Sequence, residues 1–173
     1  MTRTHLKQEQ ESPDKMSEIK YVKTWQKNDA KIEQDVLQAW RDHNILPTGA
    51  DPLQRVKEVC VVAYDGDNIA GISTMELVEY PPLRQRFGFF RAFTLPDYGR
   101  QDIARHLAVH CRDVLCQWSL DHPRAKIAGM MAIYQAKGLG HKPVGFSGLT
   151  LIGYNSLGHQ VRVIWFDHAE IEV

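Results

Sequence analysis

Residues 90–118 read FRAFTLPDYGRQDIARHLAVHCRDVLCQW and predict a strand, a tight loop and a helix in direct succession. The aromatic and apolar residues at the start are typical of a strand, and Pro96, Asp97 and Gly99 mark a turn. The first backbone N–H groups of a helix have no partner within the helix and carry partial positive charge. The loop before this helix is therefore a candidate anion site, and a phosphate-bearing ligand is the first hypothesis.

The predicted helix has one apolar side. Its apolar residues recur at three- and four-residue steps, while charged and polar residues fill the opposite side. The residues of the apolar side are Ile103, Leu107, Cys111, Val114, Leu115 and Trp118. Units of strand, loop and helix are common in α/β proteins, so this pattern by itself leaves the function open.

The composition is that of one globular domain without a dominant charge. The chain has 173 residues, and its 21 Lys and Arg balance its 21 Asp and Glu. Because there is no basic excess, neither nucleic acid nor a membrane is expected as a partner. The sequence contains no apolar run of transmembrane length and opens on polar residues unlike a signal segment, so we expect a cytoplasmic protein.

Domain organisation follows from a change of composition near residue 18. Residues 1–17 contain almost no apolar side chains, which predicts a disordered N-terminal tail, and residues 18–173 are expected to form a single domain. Cys60, Cys111 and Cys116 lie in apolar periodic segments without paired spacing. We expect them to be reduced, buried thiols.

Further strands and a first helix are predicted on either side of the opening stretch. Residues 19–25 alternate as a half-buried strand does, and Asn28 or Asp29 can cap a helix that follows. Residues 58–64 and 69–80 are β-rich and are joined by the hairpin sequence DGDN. Residues 149–154 and 161–166 predict a closing pair of strands.

Residues 124–145 allow two interpretations. In the first, a short strand near residues 126–128 precedes a short helix that Gly138 ends. In the second, residues 127–134 form one apolar strand. Both remain open, because a short apolar run does not distinguish a strand from a buried helix by its period.

Residues 94–107, TLPDYGRQDIARHL, resemble the central motif of the GCN5-related N-acetyltransferases (GNAT), which typically reads Val-x-Pro-x-Tyr-Arg-Gly-x-Gly-Ile-Gly-x-x-Leu. Ala104 stands where the family accepts Gly or Ala. The other matching residues are Pro96, Tyr98, Ile103 and Leu107, and the differing ones are Gly99, Arg100 and Asp102. Residues 132–138, AIYQAKG, resemble a later family segment of the type Leu-Tyr-x-Lys-x-Gly-Phe, and the predicted order of elements is similar as well.

This resemblance implies an α/β (α+β) fold of the acyl-CoA N-acyltransferase type, a mixed and mostly antiparallel sheet flanked by helices. It implies an enzyme that transfers an acetyl group directly from acetyl-CoA to an amine acceptor, without a metal. In the family the motif strand binds the pantetheine arm and the loop amides hold the pyrophosphate. The coenzyme-binding residues implied here are Phe93, Thr94, Leu95, Gly99, Arg100, Gln101, Asp102, Ile103, Ala104 and Arg105. The last two strands of family members often pair across a dimer, which implies a homodimer.

The resemblance also implies catalytic residues. Tyr134 corresponds to a tyrosine that in many members gives a proton to the departing thiolate of coenzyme A. Glu76 and Glu79 lie near the end of a strand where members often carry the general base, and His141 is a further candidate. A tyrosine at the edge of a core and glutamates on an exposed strand also have ordinary structural roles. Acceptor recognition is expected in residues 80–87, because loops carry specificity.

Alternatives to an active acetyltransferase stay open. The carboxylate of Asp102 repels a pyrophosphate, which favours a catalytically degenerate binding or regulatory module of the same fold. Acyl-homoserine-lactone synthases share the architecture, but the charged and aromatic residues typical of their N-terminal part are not found here. His106, His110 and Cys111 have a spacing that suits a metal, although no second ligand pair accompanies them.

Overall fold

The computed structural model of the chain describes residues 18–99, 102–135 and 140–171. These residues build a seven-stranded sheet and three α-helices. The strands are β1 (Lys20–Lys23), β2 (Val59–Asp65), β3 (Asn68–Tyr80), β4 (Gln85–Thr94), β5 (Ile127–Tyr134), β6 (Thr150–Tyr154) and β7 (Gln160–Trp165). The helices are α1 (Ala30–His43), α2 (Pro52–Arg55) and α3 (Ile103–Asp121).

The strands lie in the order β1-β2-β3-β4-β5-β7-β6. Each neighbouring pair is antiparallel except β4 and β5, which run parallel and are connected through α3. The predicted fold class, a mixed and mostly antiparallel sheet flanked by helices, is confirmed. Among the helices in the described ranges, none is both long enough and apolar enough to cross a membrane.

Helix α1 begins where the sequence predicts and covers one face of the sheet. Asp29 caps it, because its carboxylate accepts hydrogen bonds from the backbone N–H groups of Lys31 at 3.0 Å and Ile32 at 3.1 Å. The apolar side of the helix is buried against β2 and β3. The residues in this contact include Val36, Trp40, Val62 and Ile72. We call this side of the sheet the α1 face.

Helix α3 covers the opposite face, here called the α3 face. Its predicted apolar side is buried, with Ile103, Leu107, Cys111 and Leu115 at most 1% exposed. These side chains form one cluster with residues that alternate along the central strands. The strand residues include Met75 of β3, Phe90 of β4, and Met130 and Ala132 of β5. The cysteines are free thiols: Cys60 and Cys111 are buried and Cys116 is half-buried.

Two sequence-based boundaries are corrected by the structure. The interpretation of a short strand followed by a helix is wrong, because β5 continues as a strand from Ile127 to Tyr134. Residues 136–139 lie outside the described part of the chain. The connector expected over residues 80–87 is also shorter, since Tyr80 ends β3 and pairs with Gln85 at the start of β4. A single turn of 3-10 helix, Pro81–Leu83, followed by Arg84 with φ of 50°, is enough to reverse the chain.

Candidate active site

A gap opens in the middle of the sheet between β4 and β5. Their parallel register begins at Arg86 and Ile127 and ends at Phe89 and Met131. Beyond that point β4 continues to Thr94 and β5 continues to Tyr134, and among the described residues the first pairs with β3 and the second with β7. Because pairing ends in the middle of the sheet, the two strands are expected to diverge here. We call the space between their unpaired ends the cleft.

Backbone groups of β4 face this cleft. The N–H of Leu95 donates to the carbonyl of Ala70 at 2.9 Å, so the odd-numbered residues of this part of β4 direct their backbone groups towards β3. Because the direction alternates along an antiparallel strand, Ala92 and Thr94 direct theirs towards β5. Ala92 is exposed although it lies on a central strand. The cleft therefore has a peptide edge that an extended ligand can bind.

The first turn of α3 lies beyond the end of β4, and Asp102 precedes it. Asp102 has φ of 52°, and its side chain makes no capping hydrogen bond to the helix amides. Its carboxylate instead accepts a hydrogen bond from Nη1 of Arg105 at 3.1 Å, and the side chain is 63% exposed. Arg105 also lies over the ring of Phe146, 4.3 Å from its centroid. The negative charge at this end of α3 is thus turned outward and paired.

The other residues expected to bind coenzyme are divided among three environments. Phe93 and Leu95 pack into the core on the α1 face, so their side chains do not line the cleft. Ile103, the first residue of α3, is buried against the sheet, while Gly99, Ala104 and Arg105 are exposed. Arg100 and Gln101 lie outside the described residues. Of the predicted set, Thr94 directs its backbone groups towards the unpaired side of β4, and the start of α3 follows β4 after one short turn.

Tyr98 fixes the turn between β4 and α3. Its hydroxyl donates a hydrogen bond to Oδ2 of Asp65 at 3.0 Å, which connects this turn to the β2–β3 hairpin. Burial, and then this bond to a carboxylate, raises the pKa of Tyr98. Tyr98, which matches the family motif, therefore holds this turn in place through its hydrogen bond to Asp65.

Tyr134 ends β5 on the α3 face and is half-buried. The guanidinium of Arg162 lies over its ring, with Cζ 4.9 Å from the centroid. Arg162 is 0% exposed and donates to the carbonyls of Gly140, Lys142, Pro143 and Leu149 at 2.7 to 3.4 Å. It thereby anchors residues 140–149, the loop before β6. His141 lies exposed on this loop.

The two predicted bases differ in environment. Glu79 is exposed and stands opposite Arg86 of β4. Glu76 lies on the α1 face, because it alternates with Met75 of the α3 face. Its Oε2 is 2.6 Å from Nη2 of Arg91. Glu76 is therefore the glutamate with a defined polar environment.

Glu76 belongs to a closed ring of four charges that sequence reasoning missed. Arg91 also approaches Glu58 at 3.4 Å, Arg55 approaches Glu58 at 2.8 Å, and Arg55 lies 3.9 Å from Glu76. We call Arg55, Glu58, Glu76 and Arg91 the four-charge ring. Burial, opposed by Arg55 and reinforced by Glu76, raises the pKa of Glu58. The one available signal was Arg91, a lone charge within the aromatic strand FGFFRAFT.

The histidine pair on α3 has a packing role in the structure. The ring of Tyr21 lies 5.7 Å from that of His106 and 4.8 Å from that of His110. Cys111 points into the core, where its sulfur is 3.0 Å from Oγ of Ser73. Within the described ranges, no three His, Cys, Asp or Glu side chains are grouped so that they could hold a metal ion.

Comparisons with known proteins identify this architecture. No family model matches the sequence, and no curated protein matches it. A solved GNAT-family acetyltransferase from Streptococcus pneumoniae aligns over 86% of this chain and 100% of its own, with a TM-score of 0.52 and 11% identity. The Salmonella typhimurium protein yncA, named as an acetyltransferase and solved with its cofactor acetyl-CoA, aligns over 89% and 98%, with a TM-score of 0.51 and 12% identity. The chain has the fold of the GCN5-related N-acetyltransferases.

Proposed function

We propose that the protein is a divergent GNAT-superfamily N-acetyltransferase that moves an acetyl group from acetyl-CoA to an amine. The observation that carries this proposal is the cleft between β4 and β5, with the peptide groups of Ala92 and Thr94 along its edge. A pantetheine arm is extended and contains two amide groups, so it can pair with a free strand edge as a peptide does. A closed sheet of the same composition would offer no such edge.

The start of α3 suits the pyrophosphate of the coenzyme. Its first amides carry partial positive charge and have no partners within the helix. Asp102 turns its carboxylate towards Arg105 and away from these amides. The residues present therefore fit an anionic ligand despite the departure from the family motif.

The proposed reaction uses both faces of the sheet. The amine nitrogen forms a bond to the thioester carbonyl carbon, the carbon–sulfur bond breaks, and the acetylated amine loses a proton to a base. Tyr134, on the α3 face, is the proposed donor of a proton to the thiolate. Glu76, on the α1 face, is a proposed acceptor of the amine proton, directly or through water. The cleft lets groups on opposite faces act on one bound thioester.

A second candidate is a module that binds coenzyme A without transferring an acetyl group. The observation that favours it is the 2.6 Å ion pair between Glu76 and Arg91, which occupies the proposed base. In this arrangement Oε2 of Glu76 is bonded to a guanidinium and is not available to an incoming amine. This candidate shares coenzyme binding with the first and differs from it in turnover.

The test has two readouts. Acetyl-CoA is titrated calorimetrically into the full chain, and thiol release is followed with a panel of primary amines. We expect micromolar binding and amine-dependent release of coenzyme A. Tyr134→Phe should retain acetyl-CoA affinity but lower kcat about 100-fold, as expected for loss of a general acid. Tyr154→Phe, at an exposed position on β6, is the control. Binding without release for any amine favours the second candidate, and absence of binding overturns both.

A further inference from the structure

Thr74 lies on the α1 face beneath the four-charge ring and has an unused hydroxyl. It pairs with Arg91 of β4 on one side and with Val59, the residue after Glu58, on the other. The residue is 6% exposed, and Oγ1 has no hydrogen-bond partner among the described residues. A buried hydroxyl without a partner is unfavourable, and a bound polar ligand or a water molecule would supply the partner.

The ring itself has unused binding capacity. Both carboxylates use Oε2 for their arginines, and within the described residues Oε1 of Glu58 and of Glu76 accepts no hydrogen bond. Each guanidinium has five N–H donors, of which the ring uses only some. The four side chains are between 23% and 41% exposed, so a small ligand can reach them from solvent. The four-charge ring is therefore partly buried, yet open to a solute.

The ring lies next to the cleft. Arg91 belongs to the part of β4 beyond the last register pair with β5, and Phe89, whose ring is 4.1 Å from its guanidinium, forms that pair. A ligand bound at the ring would therefore lie close to a thioester bound in the cleft. Glu58 and Glu76 would approach it from the α1 face. This position is suited to an acceptor substrate.

We propose that the four-charge ring and Thr74 bind the acceptor, and that this acceptor is an amino-acid-like zwitterion with an ammonium and a carboxylate. The inference rests on the proposed acetyl transfer and specifies its substrate class. Two arginines match a carboxylate by paired hydrogen bonds, and two glutamates match an ammonium. Binding exchanges ion pairs within the ring for ion pairs with the ligand, so no net charge is introduced. The Thr74 hydroxyl gains a partner.

Charge balance argues against the two other common kinds of amine acceptor. A polycation such as a polyamine requires an excess of carboxylates, whereas the ring has two positive and two negative groups. An amine without a carboxylate would form ion pairs with the two glutamates and leave Arg55 and Arg91 without ion-pair partners. The raised pKa of Glu58 makes its carboxylate a better proton acceptor for a bound ammonium.

The experiment compares matched substrates on the full chain. Release of the coenzyme A thiol at saturating acetyl-CoA is measured with three kinds of acceptor. They are the common L-amino acids, the corresponding amines that lack the carboxylate, and spermidine. We expect at least one amino acid to give a kcat/KM more than tenfold above its carboxylate-free amine and above spermidine. A preference for spermidine or for carboxylate-free amines overturns the inference.

Variants separate binding from folding. Thr74→Val should raise KM for the amino acid severalfold while leaving the protein at least as resistant to urea, because it removes an unpaired buried hydroxyl. Arg91→Met should reduce the preference for the carboxylate, with Arg124→Met, exposed in the turn before β5, as the control. An unchanged KM in Thr74→Val, or an equal effect of Arg124→Met, contradicts the proposed site.

A separate calorimetric titration of acetyl-CoA distinguishes this inference from the proposed function. If acetyl-CoA binds and carboxylate-free amines are acetylated as well as amino acids are, the inference fails and the transferase proposal stands. If an amino acid binds with Thr74-dependent affinity but acetyl-CoA does not bind, the zwitterion site is supported and acetyl transfer is overturned.

Discussion

Nη1 of Arg105 lies 3.1 Å from Oδ2 of Asp102, one turn away along the start of α3. This contact explains how a carboxylate is accommodated where an anionic ligand is expected. An exposed ion pair contributes little to stability, about 1 kcal/mol at most. The ion pair affects ligand binding because Arg105 neutralises the charge of the Asp102 carboxylate, which lies close to the helix amides. Asp102 and Arg105 should therefore be coupled in coenzyme affinity.

We predict that Asp102→Asn binds acetyl-CoA about three- to fivefold more tightly than the natural protein, which corresponds to a screened surface charge of about 1 kcal/mol. Asparagine also tolerates the left-handed conformation at this position. Arg105→Ala should weaken binding, and more so in the natural protein than in the Asp102→Asn background. Calorimetric titration of the four combinations at one ionic strength measures this coupling.

The control for this comparison is Asp121→Asn, at the far end of α3, where the carboxylate accepts a hydrogen bond from Gln117. It should leave acetyl-CoA affinity unchanged. If Asp102→Asn weakens binding, the carboxylate contributes to the coenzyme site instead of opposing it. Equal effects of Arg105→Ala in both backgrounds would show that the ion pair has no role in binding.

Arg162 is expected to be essential for stability. It is fully buried, and its guanidinium bonds to four backbone carbonyls and to Oε1 of Gln160 at 2.8 Å. Lysine has three donors and no planar fork, so Arg162→Lys leaves buried carbonyls unpaired. We predict a loss of about 2–4 kcal/mol in the free energy of unfolding, measured by urea denaturation.

Arg124→Lys is the matched control for Arg162→Lys. Arg124 is exposed in the turn before β5, and its replacement should change the free energy of unfolding by less than about 0.5 kcal/mol. Similar losses for the two variants would mean that the bonds of Arg162 to the loop of residues 140–149 do not stabilise the protein.

The sequence was sufficient for elements that are marked by an exposed side, a capping residue or a turn signal. The apolar side of α3, the cap Asp29 and the β2–β3 hairpin follow from periodicity and turn chemistry, and the structure contains all three. Strand β5 was ambiguous because most of its residues are buried regardless of the face to which they point, which removes the alternation that identifies a strand. Its neighbours, and not its own period, determine its conformation.

The candidate site was only partly predictable for a different reason. Tyr134 and Glu76 were suggested as site residues by a family resemblance, and the candidate anion site by a loop before a helix. The four-charge ring depends on the register of β3 against β4, which brings Glu76 and Arg91 together, and on a short turn that carries Arg55 and Glu58. A register of this kind leaves no local signal in a single sequence.

Gly129 and Gly88 should respond differently to the same substitution. A Cβ at Gly129 would collide with the backbone carbonyl of Ile164 in β7. A Cβ at Gly88 would meet the ends of the Leu115 and Met75 side chains, which can change rotamer. We predict that Gly129→Ala lowers the free energy of unfolding by about 3 kcal/mol and Gly88→Ala by about 1 kcal/mol, measured by urea denaturation.

Because both glycines lie in neighbouring strands and both are buried, each serves as the control for the other. An equal loss of the free energy of unfolding in the two variants, or a larger loss in Gly88→Ala, would contradict this prediction. It would mean that moving the backbone of β7 away from β5 costs no more than changing the rotamers of Leu115 and Met75. Far-ultraviolet circular dichroism should show that Gly88→Ala keeps the native content of secondary structure.

His110 should make the protein less stable as the pH falls. Burial, followed by the nearby charge of Lys23, lowers the pKa of His110 below its ordinary value of 6.5, against the opposing effect of Asp113; His106 lowers it further. A histidine with a depressed folded pKa favours the neutral form, so its contribution to stability is present above pH 6.5 and is lost as the pH falls through the folded pKa. The ring of Tyr21 packs against it on the remaining side.

We predict that the free energy of unfolding of the natural protein decreases between pH 7.5 and pH 5 relative to that of His110→Gln, which cannot gain the proton. Loss of the Tyr21 contact lowers the stability of His110→Gln at every pH, so the informative quantity is the change of the difference with pH. Urea denaturation at five pH values measures it. His141→Gln, at an exposed loop position, is the control for the loss of a histidine as such. The depressed pKa would be contradicted if the difference in free energy of unfolding between the natural protein and His110→Gln did not change with pH. It would also be contradicted if the natural protein became more stable relative to His110→Gln as the pH falls.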